Sequence, residues 1–133
     1  MNFVEPMAKT IINTTGAPAP IGPYSQAVLS GNTLYVSGQI ALTPEGGNLV
    51  MDTIQAETHQ VMKNLKSILN AAQMDFSDVV KCSIFVKDMN NFQAINSVYG
   101  EYFTSNAPAR ETVEVSRLPK DVNVEISCVA VKN

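Results

Sequence analysis

The chain has 133 residues, 45% of them hydrophobic and 16% charged, with nine Lys+Arg against twelve Asp+Glu for a net charge of −3. One domain of this length hides roughly two thirds of its unfolded surface and needs no disulfide or structural metal to fold. The charge balance disfavours a nucleic-acid surface, and the single histidine, His59, excludes a His-based metal site or a two-histidine acid/base mechanism within one chain.

Other exclusions follow from spacing. Cys82 and Cys128 show no CxxC or zinc pattern; both sit in apolar runs, as buried reduced thiols of a cytoplasmic protein would. No apolar run reaches the ~18 residues of a membrane span, and the N-terminus lacks the layout of a signal peptide. The charged fraction falls below the usual ~25%, so part of the surface is expected to lie against other subunits. Residues 1–7 carry no structural signal and read as an N-terminal extension. Residues 8–133 read as a single domain without repeats or linkers.

A short strand is expected around Lys9–Asn13. The Pro/Gly-rich stretch Gly16–Tyr24 then forbids a helix or a central strand and reads as an extended loop. Ala27–Ser30 and Thr33–Ser37 flank Gly31-Asn32, a hairpin signal, and Pro44–Gly47 is a second turn. Ile54, Thr58, Val61, Met62, Leu65, Ile68, Leu69 and Ala72 carry helical spacing. Asp52 is the expected N-cap, with Gln55 completing a capping-box-like pair; Lys63, Asn64, Lys66 and Ser67 lie off the apolar stripe.

Val79–Lys87 alternates, with Val80, Cys82, Ile84 and Val86 on one face. A second helix is expected over Asn91–Thr104, striped by Phe92, Ile95, Tyr99, Tyr102 and Phe103 and ended by Pro108. Strands follow at Arg110–Val115 and Val122–Val131, joined through Leu118–Asp121. Val122, Val124, Ile126, Cys128 and Ala130 form an apolar face placed under the helices. This order predicts an α+β fold, a mixed sheet with two helices on one face. The other face of the last strand mixes Asn123, Glu125, Ser127, Val129 and Val131, a composition suited to a subunit interface with a site in it.

Arg110 and Glu125 stand out as charges inside strands. If their strands pair antiparallel, both side chains reach the same sheet face. Spacing alone leaves two readings open. One is a structural ion pair. The other is a catalytic pair, in which the arginine grips a carboxylate through two hydrogen bonds and the glutamate moves a water proton. The rigid Gly22–Gln26 loop can hold Tyr24 over a pocket or plug the core edge with it. Ser37-Gly38 can present an amide to an anion or form a bulge. Asn96 is either exposed or makes a polar contact into a pocket; His59 is expected in solvent; Lys120-Asp121 reads as a turn.

These residues also carry a resemblance. Ile21–Ala27, Val36–Ile40, Val79–Lys81, Phe85–Met89, Pro108–Arg110, Val113–Val115, Arg117–Asp121 and Val124–Ile126, in that order, make the chain resemble the reactive-intermediate deaminase family, RidA/YjgF, some members of which are called L-PSP endoribonucleases. The resemblance runs from about Ala8 to the end. It implies a chorismate-mutase-like α+β fold, assembled as a homotrimeric barrel with helices outside and a pocket between each pair of subunits. It implies hydrolysis of 2-imino or enamine acids (2-aminoacrylate, 2-iminopropanoate, 2-iminobutanoate) to 2-keto acids and ammonia, with no metal or organic cofactor. Arg110 would bind the substrate carboxylate and Glu125 would handle protons and the attacking water. Tyr24, Ser37, Gly38, Asn96 and Thr112 would line the pocket, Thr112 standing where many members have cysteine.

The chain departs from the family at Glu111, where small residues are usual. Strand alternation turns Glu111 away from Arg110; if it stayed, it would compete with substrate. The loop Thr104–Ala107 is short relative to many members. Two alternatives to the deaminase remain: an endoribonuclease-like inhibitor of translation, disfavoured by the charge, and a trimeric small-ligand-binding module without turnover.

Overall fold

The computed structural model describes residues 8–133, so the extension expected over residues 1–7 lies outside the described residues. Six strands, β1 (Thr10–Ile12), β2 (Ala27–Ser30), β3 (Thr33–Gln39), β4 (Val79–Val86), β5 (Ala109–Glu114) and β6 (Val124–Val131), form one sheet with two helices, α1 (Ile54–Ala71) and α2 (Phe92–Tyr102). The strand order is β1-β2-β3-β6-β4-β5. Every neighbouring pair is antiparallel except β4–β5, which is parallel. A parallel pair needs a crossover, and α2 supplies it.

Both helices cover one face, and the predicted α+β architecture is present. Leu34 and Val36 of β3, Cys82, Ile84 and Val86 of β4, and Val124, Ile126, Cys128 and Ala130 of β6 point into one core with Val61, Leu65, Ile68 and Leu69 of α1 and Ile95 and Tyr99 of α2. Truncating a fully buried member such as Ile126, 0% exposed, would cost about 2–5 kcal/mol. Cys82 and Cys128 are register partners across β4 and β6. Both are free and buried, and burial pushes both thiols up.

Four local expectations change. Val80, expected on the face of Cys82, Ile84 and Val86, is 47% exposed, because the register of β4 on β6 slips between Val79 and Lys81. The N-cap of α1 is Thr53, not Asp52: its extended backbone and a 3.0 Å bond from the Ala56 N–H to its hydroxyl start the helix one residue later. Val122 precedes β6 and packs with Ile40, Leu42 and Leu118 in a second, smaller cluster instead of under the helices. Asn64, placed off the apolar stripe, is 0% exposed. Its Nδ2 donates to the carbonyls of Ile40 (3.1 Å) and Leu42 (2.9 Å), where the chain leaves β3 and its backbone groups turn out of the sheet ladder.

Candidate active site

On β6, Val124 and Ile126 face the helices, so Glu125 stands on the helix-free face. The register between β3 and β6 slips between Val36 and Gln39, and this bulge brings Gly38 against the glutamate. A Cβ at Gly38 would lie 2.7 Å from Glu125 Oε2, so the glycine makes room for a carboxyl group. Tyr24, Ser37, Gly38 and Glu125 line one cavity of about 350 Å³, with Ile40, Leu42 and Pro119 among its apolar walls. Burial raises the Glu125 carboxyl above its ordinary range, because the charged form is partly desolvated and, among the described residues, no cation pairs with it.

Polar side chains hold the cavity walls. The Ser37 hydroxyl donates to the Ser25 carbonyl at 2.6 Å, fixing the loop that carries Tyr24. Tyr24 is 49% exposed, and its hydroxyl accepts from the Ile21 N–H at 3.3 Å. Gln26, unremarked in the sequence, is buried. It accepts from the Thr14 N–H at 2.7 Å and donates to the carbonyls of Thr14 and Pro18 at 3.0 and 2.9 Å, so one amide fastens the proline-rich loop. Opposite, Lys120 and Asp121 make the expected turn with φ of 54° and 56°, a pair of left-handed residues whose strain the structure holds beside the cavity. Asp121 is pinned by Lys87 at 2.8 Å.

Arg110 belongs to a different surface. It registers with Cys82, and Thr112 with Ile84, so both face the helix side at the sheet edge, under α2. Phe92, Asn96 and Tyr99 sit on one face of α2 and form its seat. The guanidinium lies 5.7 Å from the Phe92 ring centroid and 4.9 Å from that of Tyr99, and Nη1 donates to Asn96 Oδ1 at 2.6 Å. Asn96 is therefore both exposed and in polar contact. A second, open cavity is lined by Met89, Phe92, Arg110 and Thr112. The hydroxyls of Thr112 and Tyr99 are buried without a hydrogen-bond partner among the described residues. Burial also pushes the Tyr99 phenol up.

Glu111 points away from this cavity. It registers with Ser83 on the opposite face, accepts from the Ser83 hydroxyl and pairs with Lys81 at 2.9 Å. The Ser83 hydrogen bond and then Lys81 hold its carboxyl below the ordinary range. It does not compete for Arg110 within the chain.

One expectation fails in a way that matters. β5 and β6 do not pair; β4 lies between them. Arg110 and Glu125 stand on opposite faces of the sheet, and neither enters an ion pair among the described residues. The structure thus gathers Tyr24, Ser37, Gly38 and Glu125 into one half-site and Asn96, Arg110 and Thr112 into another, and does not join the two. His59 also differs from expectation: it is half-buried between the helices, Nδ1 2.8 Å from Tyr102 Oη and Nε2 3.7 Å from Glu101. Among the described residues no group of three or more His, Cys, Asp or Glu could hold a metal ion, and no helix is long and apolar enough to cross a membrane.

The domain is thus an α+β fold with a glutamate-lined cavity on its bare sheet face and an arginine-lined one on its helix side. The chain belongs to the Endoribonuclease L-PSP family, whose model matches residues 14–132; this is the RidA/YjgF family of the resemblance. It is 51% identical over 124 residues to the RutC family protein PH0854 of Pyrococcus horikoshii, covering 93% of this chain and 98% of that one. It is 44% identical over 126 residues to the human protein named 2-iminobutanoate/2-iminopropanoate deaminase, covering 95% and 92%. Among solved structures, Escherichia coli TdcF with bound serine superposes with a TM-score of 0.89 at 38% identity, covering 93% of this chain and 99% of that one.

Proposed function

We propose that this chain hydrolyses reactive 2-imino and enamine acids (2-aminoacrylate, 2-iminopropanoate, 2-iminobutanoate) to 2-keto acids and ammonia. In this reading it acts as a cytoplasmic homotrimer, the Arg110 half-site of one copy meeting the Glu125 half-site of the next. The observation that carries the reading is the pairing of chemistries. An arginine seated on two rings and held by Asn96 keeps N–H groups free for a carboxylate. A glutamate whose carboxyl is raised by burial holds its proton more tightly than an exposed carboxylate and can pass it to a substrate. The deaminase name of the human relative and the serine bound by the Escherichia coli relative support a small amino-acid-like ligand.

The chemistry needs water as its only co-reactant. An enamine first takes a proton at C3 to become the imine. Arg110 holds the carboxylate, and protonated Glu125 gives its proton to the imine nitrogen, making C2 more electrophilic. The resulting carboxylate takes a proton from the attacking water as the C2–O bond forms. That proton then passes from Glu125 to the amine nitrogen of the tetrahedral adduct; the C2–N bond breaks and ammonia leaves as the C2 hydroxyl returns its proton to the Glu125 carboxylate and becomes the carbonyl. Tyr24, Ser37, Gly38, Asn96 and Thr112 shape the pocket.

The test couples this protein to a pyridoxal-phosphate dehydratase acting on serine or threonine, with semicarbazide trapping the free imine. Accelerated keto-acid formation, with less trapped imine and a trimeric mass by light scattering, is the expected result. Binding of 2-oxobutanoate without acceleration would favour the ligand-binding module. RNA cleavage that stays with the protein through purification, without imine hydrolysis, would favour the endoribonuclease.

A further inference from the structure

Three buried polar side chains of the fold hold segments that border the Glu125 cavity: Gln26, Asn64 and Glu57. The first two are neutral. Glu57 is a carboxylate, sits at a core-facing position of α1 and is 0% exposed. Its Oε2 accepts from the backbone N–H of Asn123 at 2.8 Å and of Val124 at 3.3 Å, and its Oε1 accepts from Asn123 Nδ2 at 2.7 Å. The Asn123 carbonyl in turn accepts from the Lys87 N–H at 3.0 Å, tying the same residue to the end of β4. Burying a carboxylate without a cation is costly unless donors converge on it. Here three N–H groups do, all from the two residues that precede Glu125.

We infer that Glu57 is a positioning residue for Glu125: by fixing the Asn123–Val124 backbone it sets where the Glu125 carboxyl stands beside Gly38. This rests on the proposed deamination. The stand is tight, since even a methyl group at Gly38 would meet the Glu125 carboxyl, so a small shift at the start of β6 moves the proton-handling group. A carboxylate suits the task better than an amide. Three donors need acceptor oxygens, and Gln would turn an NH₂ group toward one of them. No charged side chain among the described residues pairs with either glutamate.

The test compares Glu57→Gln and Glu57→Asp with the parent protein in the coupled imine assay across pH, with 2-oxobutanoate binding by calorimetry alongside. Asp keeps the charge but withdraws the carboxylate, which separates position from charge. Both variants are expected to lose about tenfold or more in kcat, with KM and 2-oxobutanoate affinity unchanged because Arg110 lies on the other half-site. The alkaline limb of kcat, where Glu125 loses the proton it donates, should move to lower pH in both as the Glu125 carboxyl becomes better solvated. Parental kcat and pH profile in either variant overturns the inference. So does a loss in which kcat, KM and affinity deteriorate together, the mark of a merely structural carboxylate. If Glu57→Gln and Glu57→Asp give no folded protein, Asn123→Asp perturbs the same contact from the loop side, and the same outcomes decide. An inactive parent protein would instead refute the deamination itself.

Discussion

Gly38→Ala separates the site from the fold. The added Cβ would stand 2.7 Å from Glu125 Oε2, 2.8 Å from Cδ and 3.1 Å from Cγ. Comfortable carbon contacts need about 3.5–4.0 Å, so the carboxyl group must retreat by roughly an ångström. Gly38 is not among the residues with positive φ, so alanine fits the backbone. Replacing glycine gains about 0.4–1 kcal/mol through the unfolded chain, and pushing Glu125 off its rotamer costs about 0.5–1.5 kcal/mol. These nearly cancel, so Tm should move by less than about 5 °C. Activity should not be spared. An ångström of misplacement can cost about 100-fold, within the range general acid/base help supplies. The assay is keto-acid formation from enzymatically generated 2-iminobutanoate, with Tm and native mass on the same sample. A folded Gly38→Ala protein with parental kcat would remove Glu125 from proton handling.

Arg110→Lys keeps the charge but loses the paired hydrogen-bond geometry. With charged hydrogen bonds worth about 1.5–3 kcal/mol, kcat/KM should fall by one to two orders of magnitude while the native mass stays constant; undiminished kcat/KM would mean that the carboxylate binds elsewhere. Tyr99→Phe removes a buried hydroxyl that has no partner among the described residues and keeps the ring under Arg110. Stability should hold or rise by up to about 1 kcal/mol, and a clear drop in Tm would reveal a bond to the neighbouring Cys82 thiol. Burial raises the Glu125 carboxyl above its ordinary 4.5, so the folded chain holds this proton more tightly than the unfolded one. That contribution to stability is present below the ordinary value and is lost as pH rises through the folded one. Glu125→Gln should therefore raise Tm at neutral pH and lose the advantage in acid; equal gains at both pH values would refute the assignment.

Much of this was legible because local patterns suffice for it. Alternation told inward from outward side chains in β6 and over Cys82–Val86 of β4, though not at Val80, which the slip in register turns outward, and Gly31-Asn32 placed the hairpin. Within β5 the same alternation correctly turned Glu111 away from Arg110. Alternation is blind to strand order, however, and the expectation of a shared face rested on a pairing that does not exist. The missed signal was the strand–helix–strand unit of β4, α2 and β5, whose crossover makes those two strands parallel neighbours and leaves β6 on the far side of β4. Glu57 and Asn64 were missed for another reason. Periodicity assigns polar residues to solvent, but α1 crosses the sheet where β3 ends and β6 begins, and free backbone groups there need polar partners. Only the assembled layers reveal that need.

The separation of Arg110 from Glu125 also explains why two of the few charges sit in strands at all. Paired within the chain, they would neutralise each other and leave nothing for a ligand. The sheet keeps them apart, so Arg110 retains N–H groups that Asn96 does not use and, among the described residues, Glu125 stands without a paired cation. The helix-free face that carries Glu125 also carries Tyr35 and Val113, 54% and 41% exposed, with half-buried Phe85, Val129 and Val131. Such an apolar surface calls for cover. In the proposed trimer a second copy covers it and brings its own Arg110 edge toward the uncompensated carboxyl. The substrate's carboxylate and imine nitrogen then supply the partners that each half-site lacks alone.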